Sequence, residues 1–270
     1  MSALSQWEVA VFLSEPGRTG YDLNFSCFGF PVRVHPAFFI MPLLLGNELI
    51  SPAVNTGVGL LVVTGIFFVS ILIHEIGHAV AFRYFGIPSR IVLYWMGGLA
   101  IPESSRAWGS QSNRSLSPDQ QIIISVAGPV FGLALAVVFY GLVYLLGGSV
   151  GIENDQILSV FVPVFPEGSK YAGRGIVFMI CFGGIILNVV LNILNLAPIY
   201  PLDGGQIARQ FMVKQDAYNG IRNSIVLSLG TAVLIAVVSL AYGDGFLAFF
   251  FAFMAWTNYQ MLQQYNGPRW

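Results

Sequence analysis

Long apolar stretches that contain no charged residue alternate with short polar segments along this chain. A helix that crosses a bilayer needs about 20 mostly apolar residues. Five of the charge-free stretches are long enough alone, and we extend the first one past Glu48 to about Ser51. The pattern predicts an all-α polytopic membrane protein with about six transmembrane helices and a small membrane-associated β-hairpin. The predicted spans are 35–51, 57–83, 121–146, 175–197, 223–242 and 245–263.

Two connections between the predicted helices have patterns of their own. The polar loop 88–119 opens with residues 90–101, in which β-branched and aromatic residues surround a Gly-Gly pair, and this composition is typical of a β-hairpin. The loop 147–174 carries a short apolar patch at 157–165, for which we expect a position at the membrane interface. We expect no separate soluble domain. The predicted divisions are an amino-terminal segment 1–34, a six-span domain 35–263 with its core at about 57–210, and a tail 264–270.

The composition supports a membrane protein and excludes several other classes. Of 270 residues, 56% are apolar and 9% are charged, whereas a soluble domain carries roughly 25% charged residues. A net charge of -1 argues against a nucleic-acid partner, because phosphate binding needs a basic excess. The two cysteines, Cys27 and Cys181, are too few for a disulfide framework or a cysteine-based zinc site.

The basic residues predict an orientation for the six spans. If both termini and the loops after spans two and four share one side, that side holds ten Lys and Arg residues and the other holds Lys170 and Arg174. The positive-inside rule then places both termini in the cytoplasm. The first 33 residues contain charged side chains and no apolar core of signal-peptide length, so we expect the amino terminus to be retained. The ten residues are Arg18, Arg33, Arg83, Arg90, Arg106, Arg114, Arg209, Lys214, Arg222 and Arg269.

The second predicted span contains the sequence His-Glu-Ile-Gly-His from His74 to His78. Residues four apart lie on one face of a helix, so both imidazoles can reach one metal ion. Glu75 is rotated by about 100° from His74, which lets it act on a metal-bound water without being a ligand. Ionisable groups in a spanning helix usually have a partner or a function. The alternative is a structural role, with Glu75 hydrogen-bonded to a polar neighbour and both histidines neutral.

Asp203 is the candidate for the third ligand that a catalytic zinc site normally requires. It follows span four in the run Pro-Ile-Tyr-Pro-Leu-Asp-Gly-Gly, where Pro198 and Pro201 break the helix and Gly204-Gly205 permits a sharp turn. Spans two and four run in the same direction, and both motifs lie near their cytoplasmic ends. Taken alone, Asp-Gly-Gly after a helix is equally typical of a terminating turn.

These two motifs together resemble the site-2 protease family of intramembrane zinc metalloproteases. The second motif is the run Asn-x-x-Pro-x-x-Pro-Leu-Asp-Gly-Gly from Asn195 to Gly205, and weaker similarities are Ala127-Gly128-Pro129, Gly97-Gly98 and the stretch Phe30–Pro36. The resemblance covers about residues 28 to 210 and is to compact members without a PDZ domain. It implies one zinc ion bound by His74, His78 and Asp203, with Glu75 as general base and Asn195 at the scissile carbonyl or its oxyanion. It further implies the plasma (inner) membrane of a prokaryote, with the active-site opening cytoplasmic.

By this resemblance the chain is a hydrolase that cleaves a peptide bond in or near the transmembrane segment of a membrane-protein substrate. The edge of the predicted hairpin is expected to hold the unwound substrate segment by β-augmentation, and spans one, five and six could open as a lateral gate. The expected partners are that substrate and the lipid bilayer, with no nucleic acid. The candidate substrate-binding residues are His35, Ile91, Val92, Leu93, Tyr94, Gly97 and Gly98.

Three alternatives stay open from the sequence. His35, at the membrane edge, could contact substrate, shield the open metal position or cap a helix. The protein could bind or transport zinc without hydrolysis, although its spans hold few other carboxylates or histidines. It could also be a non-catalytic relative that only binds membrane helices, although all four zinc-site positions are intact.

Overall fold

A computed structural model of the chain describes residues 15–103, 116–154 and 159–266. The chain divides into two compact units. Among the described residues, the first unit contains 16–103, 127–154 and 159–194, and the second contains 15, 116–126 and 195–266. The domain bounds predicted from the sequence stay a prediction.

A four-stranded sheet lies in the first unit, with its strands in the order β1-β2-β3-β4. The outer pairs are antiparallel, whereas β2 and β3 pair in parallel, with Val32 opposite Ile91. The hairpin predicted at 90–101 is confirmed as β3 and β4. The sheet has four strands where two were predicted, because the other two strands lie in the predicted amino-terminal segment. The strands are β1 (Leu23–Cys27), β2 (Phe30–Val34), β3 (Ser89–Tyr94) and β4 (Gly97–Pro102).

The β1–β2 hairpin is defined by its turn and by a buried arginine. Phe28 and Gly29 form the turn with φ angles of 50° and 77°, the left-handed geometry that matches the twist of two antiparallel strands. Arg33 of β2 is buried, and its guanidinium donates to Asp22 Oδ2 at 2.9 Å and to the Pro16 carbonyl at 2.8 Å. A buried charge needs such partners, so the segment before β1 is bound to the sheet.

The helices of the first unit begin with a broken segment. Two 3₁₀ turns, Pro36–Phe39 and Gly46–Leu49, flank the six-residue helix α1 (Ile40–Leu45). The Asn55 side chain then accepts hydrogen bonds from the Gly57 and Val58 amides and caps the next helix. The longer elements are α2 (Thr56–Tyr84), α3 (Pro118–Leu145, in this unit from Ala127), a hairpin of β5 (Ser149–Asn154) and β6 (Ser159–Val164), and α4 (Ile176–Asn195, in this unit to Leu194).

The core of the first unit joins the sheet to α2. Phe67 and Ile71 of α2 belong to one buried cluster with Ile91 and Leu93 of β3 and with Phe38. These side chains are apolar and nearly inaccessible to solvent. The central strand β3 is therefore fixed against the helix that carries the histidine motif.

The second unit consists of α5 (Asp203–Gln215), α6 (Gly220–Ala241) and α7 (Gly245–Asn266), together with the start of α3. The segment before α5 is attached to both long helices. The Tyr200 amide donates to Ser228 Oγ of α6 at 3.0 Å, and Asn258 Nδ2 of α7 donates to the Tyr200 carbonyl at 2.7 Å. Ser228 and Asn258 are buried. These polar contacts define the position at which α5 begins.

Four helices in the described part of the chain are long and apolar enough to cross a membrane: α2, α3, α4 and α6. Large apolar side chains such as Leu61, Val137 and Leu234 are exposed on them, as expected for surfaces that face lipid rather than water. The chain is an integral membrane protein. The first predicted span is the broken segment around α1, and α7 carries polar residues such as Thr257 and Asn258. The predicted count of six spans therefore stays a prediction.

Candidate metal centre

His74, Glu75 and His78 lie on α2 and are all buried, with 7%, 5% and 8% of their surfaces exposed. The histidines are one helical turn apart, and their Nε2 atoms are 3.1 Å from each other. Two nitrogens that bind one zinc ion tetrahedrally at about 2.0–2.1 Å stand ~3.3 Å apart. The pair thus has a spacing suited to one metal ion.

Gly128 of α3 leaves the space beside the two imidazoles open. A Cβ atom at this position would lie 2.8 Å from His74 Nε2 and closer still to His78 Nε2. Gly77 of α2, next to His78, lets α2 and α3 approach each other closely. A Cβ atom at Gly77 would lie 2.5 Å from the Ala127 carbonyl oxygen of α3. The Ala-Gly-Pro motif is thereby explained: its glycine makes a cradle next to both nitrogens that any larger side chain would fill.

The carboxyl group of Glu75 lies under strand β4. A Cβ atom on Gly98 would stand 2.7 Å from Glu75 Cδ, so only glycine lets the strand pass over the carboxylate. Burial, together with the negative charge of Glu75, raises the pKa of Tyr94 to about 12. Tyr94 therefore stays a neutral phenol beside this acid.

Asn192 of α4 contacts the histidine motif and was not among the residues predicted from the sequence. Its Oδ1 atom is 2.7 Å from His74 Nδ1. Asn188 lies one turn earlier on α4, where its Nδ2 donates to Ser70 Oγ at 2.8 Å. A signal for both residues was present, because amide side chains four positions apart in an otherwise apolar spanning helix are costly and tend to be functional.

In the second unit, Asp203 is the first residue of α5 and is buried. The two glycines that follow are required by close packing on the preceding segment. A Cβ on Gly205 would lie 2.5 Å from the Ile199 carbonyl oxygen, and one on Gly204 would overlap the Leu196 carbonyl. The sharp turn predicted at Gly204-Gly205 is wrong, because both glycines lie in the first turn of α5 and the chain turns before Asp203. The three residues predicted to bind the metal ion are all buried, His74 and His78 in the first unit and Asp203 in the second.

The candidate substrate-binding residues fall into different environments. β3 is paired on both sides, by β2 and β4, and Ile91, Val92, Leu93 and Tyr94 are all buried. The predicted edge strand is therefore β4 alone, because a strand with two partners has no backbone groups left for a third. Gly97 and Gly98 belong to this edge strand.

His35 and Asn195 stand at helix ends. His35 Nδ1 accepts a hydrogen bond from the Ala37 amide at 3.1 Å and caps the 3₁₀ turn at Pro36–Phe39. Of the three predicted alternatives for His35, helix capping is the one this contact supports. Asn195 is the last residue of α4 and is half-buried.

Comparisons with known proteins give a consistent picture. Residues 62–237, more than half of the chain, match Peptidase family M50. A zinc metalloprotease of Methanocaldococcus jannaschii is 22% identical over 221 residues, which cover 81% of this chain and 52% of that protein. The chain thus spans about half the length of this curated relative. The solved Site-2 Protease from Methanocaldococcus jannaschii matches with a TM-score of 0.52 and 18% identity over 90% of this chain and 95% of that one. This similarity confirms the predicted fold class.

Proposed function

Because the chain belongs to peptidase family M50, we propose that it is an intramembrane zinc metalloprotease that hydrolyses a peptide bond in or near the transmembrane segment of a membrane-protein substrate. The family assignment agrees with the resemblance to site-2 proteases in its two motifs. The observation that carries the proposal is the pair of buried Nε2 atoms 3.1 Å apart beside the Gly128 cradle.

His74, His78 and Asp203 would hold the zinc ion. Two imidazoles and a carboxylate form a three-ligand set of the kind found in catalytic zinc sites, which keep a further position for water or substrate. Zinc in such a set acts as a Lewis acid and lowers the pKa of a bound water toward about 7. All three residues are buried, so the ligands lie away from competing bulk water.

Glu75 is the proposed general base. Its carboxylate accepts a proton from the attacking water while the water oxygen bonds to the scissile carbonyl carbon, and it then delivers that proton to the leaving amine nitrogen as the C–N bond breaks. Glu75 is next in sequence to a proposed ligand and is not one of the three proposed ligands. Its carboxyl group lies close to Gly98 of β4, the strand whose edge is proposed to bind the substrate.

Two further elements are proposed to act on the substrate. Asn195 would donate from its side-chain amide to the oxyanion that develops at the carbonyl. The edge of β4 that has no strand partner among the described residues would bind the unwound substrate backbone by β-augmentation. This edge is a suitable place, because the strand that offers it also covers Glu75. The bilayer is the medium in which the enzyme meets its substrate, and the proposed opening faces the cytoplasm of a prokaryotic cell.

The test is cleavage of a panel of single-span substrates by the purified full chain, with Glu75→Gln beside wild type and bound zinc counted in both. We expect about one zinc per chain in each protein and a loss of cleavage of roughly 10²–10⁴-fold in Glu75→Gln. Glu167→Gln, at an exposed glutamate, is the matched control and should cleave like wild type. Wild-type protein without metal would refute the zinc site. Equal cleavage by Glu75→Gln would refute the base, and zinc binding without cleavage of any substrate would favour the non-catalytic alternative.

A further inference from the structure

The first unit contains a ladder of four buried polar side chains between α2 and α4. Ser70 and His74 are one turn apart on α2, and Asn188 and Asn192 are one turn apart on α4. Asn188 Nδ2 donates to Ser70 Oγ at 2.8 Å, and Asn192 Oδ1 lies 2.7 Å from His74 Nδ1. All four residues are buried. Buried polar groups are costly unless they are hydrogen-bonded, and each rung supplies such a contact.

The hydrogen bonds of Asn192 determine which way its amide faces. Its Nδ2 donates to the Asn188 backbone carbonyl, which can only accept. The amide oxygen is therefore the atom that faces His74. Since that oxygen can only accept, His74 Nδ1 must carry the ring proton. In the neutral ring, Nε2 is then the nitrogen without a proton, and an unprotonated imidazole nitrogen is the atom that binds a metal ion.

Neighbouring glycine and backbone groups prevent other arrangements. A Cβ on Gly132 of α3 would lie 2.5 Å from Asn192 Cγ, so the amide group occupies the space that a side chain at 132 would need. The preceding rung is fixed in the same way, because Asn188 Nδ2 also donates to the Gly184 carbonyl at 2.7 Å. Asn192 thus has one place and one orientation.

We propose that Asn192 is a positioning residue of the metal centre, which fixes the His74 ring as the tautomer with Nε2 free to bind zinc, and that Asn188 and Ser70 fix Asn192 in turn. This inference rests on the proposed zinc site. Its consequence is that removal of the Asn192 acceptor weakens zinc binding before any substrate is present. Outer hydrogen-bond partners of ligating histidines typically contribute 10–100-fold to metal affinity or activity.

The test measures the zinc dissociation constant of the full chain by competition with a chromogenic chelator. Asn192→Leu removes the acceptor at similar volume, and we expect it to weaken zinc binding roughly 10–100-fold. Asn192→Asp keeps an oxygen acceptor for the His74 N–H and should bind zinc about as tightly as wild type. In a His74→Ala background, Asn192→Leu should cause no further loss, because the residue acts through that ring.

The outcomes separate this inference from the proposed function. If wild type binds no zinc, the proposed function fails. If wild type binds zinc and Asn192→Leu binds it equally well, the positioning role is refuted. If Asn192→Leu and Asn192→Asp lose equal zinc affinity, Asn192 has a structural role instead. The same conclusion follows if Asn192→Leu lowers zinc affinity in the His74→Ala background as much as it does in wild type. Should Asn192→Leu not fold, Gly132→Ala displaces the same amide and must weaken zinc binding for the inference to hold.

Discussion

Gly128 lies beside His74 Nε2 and His78 Nε2, the two proposed ligand nitrogens, so its replacement by alanine tests the proposed metal centre with a single added methyl group. We expect Gly128→Ala to reduce bound zinc from about one per chain to nearly none, because the new Cβ would overlap His78 Nε2 and lie 2.8 Å from His74 Nε2. Elemental analysis of the purified protein measures this directly.

Gly141 supplies the control for this substitution on the same helix. A Cβ at Gly141 meets nothing within 4 Å, so Gly141→Ala should keep its zinc and gain up to about 1 kcal/mol of helix stability. Full zinc occupancy in Gly128→Ala would contradict the geometry of the cradle. Zinc loss in both variants would show that α3 tolerates no added methyl group, which is a packing effect.

The histidine motif was predicted at the residue scale, whereas Asn192 was missed. His74 and His78 stand out because charged or ionisable residues are rare in the predicted spans. An asparagine carries no charge, so a search for charge-free stretches passes over it. Its partner is also 118 positions away in the sequence, so the spacing of Asn188 and Asn192 marks a polar pair in an apolar helix but does not identify His74 as its partner.

At the scale of elements, the Asp22–Arg33 pair fixes the segment before β1 to the sheet. Hydrogen bonds from Thr19 and Arg33 lower the pKa of Asp22 from 3.8 to about 2. A lowered folded-state pKa stabilises the fold above the unfolded value, and this contribution is lost as the pH falls from about 4 through about 2. Over that window we expect protection of the β1 amides in wild type to fall to the level of Asp22→Asn.

Hydrogen exchange read by mass spectrometry, corrected for the intrinsic pH dependence of exchange, measures this protection. Asp119→Asn is the control, because it breaks an exposed pair with Lys214 and exposed pairs contribute little. It should leave the β1 amides unchanged at every pH. If Asp22→Asn exchanges like wild type at neutral pH, the pair does not hold the segment.

The same pair explains why half of the sheet was missed. Arg33 interrupts an otherwise apolar strand, and a charge marks a loop when boundaries are taken from charges alone. Its burial depends on Asp22 and on the Pro16 carbonyl, which are contacts between separate segments. The β3–β4 hairpin was found because its signal is local: a Gly-Gly pair within a run of strand-forming residues. The first predicted span failed as a single helix because Pro36, Pro42 and Gly46 interrupt it.

At the scale of the whole molecule, the number of membrane crossings depends on that broken segment. The turns from Pro36 to Leu49 comprise four, six and four residues. Placed end to end they would reach about 25 Å, slightly less than the roughly 30 Å of a hydrocarbon core. The segment is thus of borderline length for a crossing. The count of ten basic residues against two assumes that it does cross, since otherwise Arg18 and Arg33 would lie on the outer side and the count would be eight against four.

Labelling of single-cysteine variants, made in a protein without Cys27 and Cys181, tests whether the first segment crosses the membrane. With six crossings and cytoplasmic termini, an impermeant maleimide applied to intact cells should label Ala53→Cys and Glu167→Cys and should not label Arg18→Cys or Tyr218→Cys, all at exposed positions. Labelling of Arg18→Cys together with Ala53→Cys would mean that the first segment enters and leaves on one side, which reduces the crossings by one. Labelling of Tyr218→Cys with protection of Glu167→Cys would reverse the orientation, and the proposed active site would then open away from the cytoplasm.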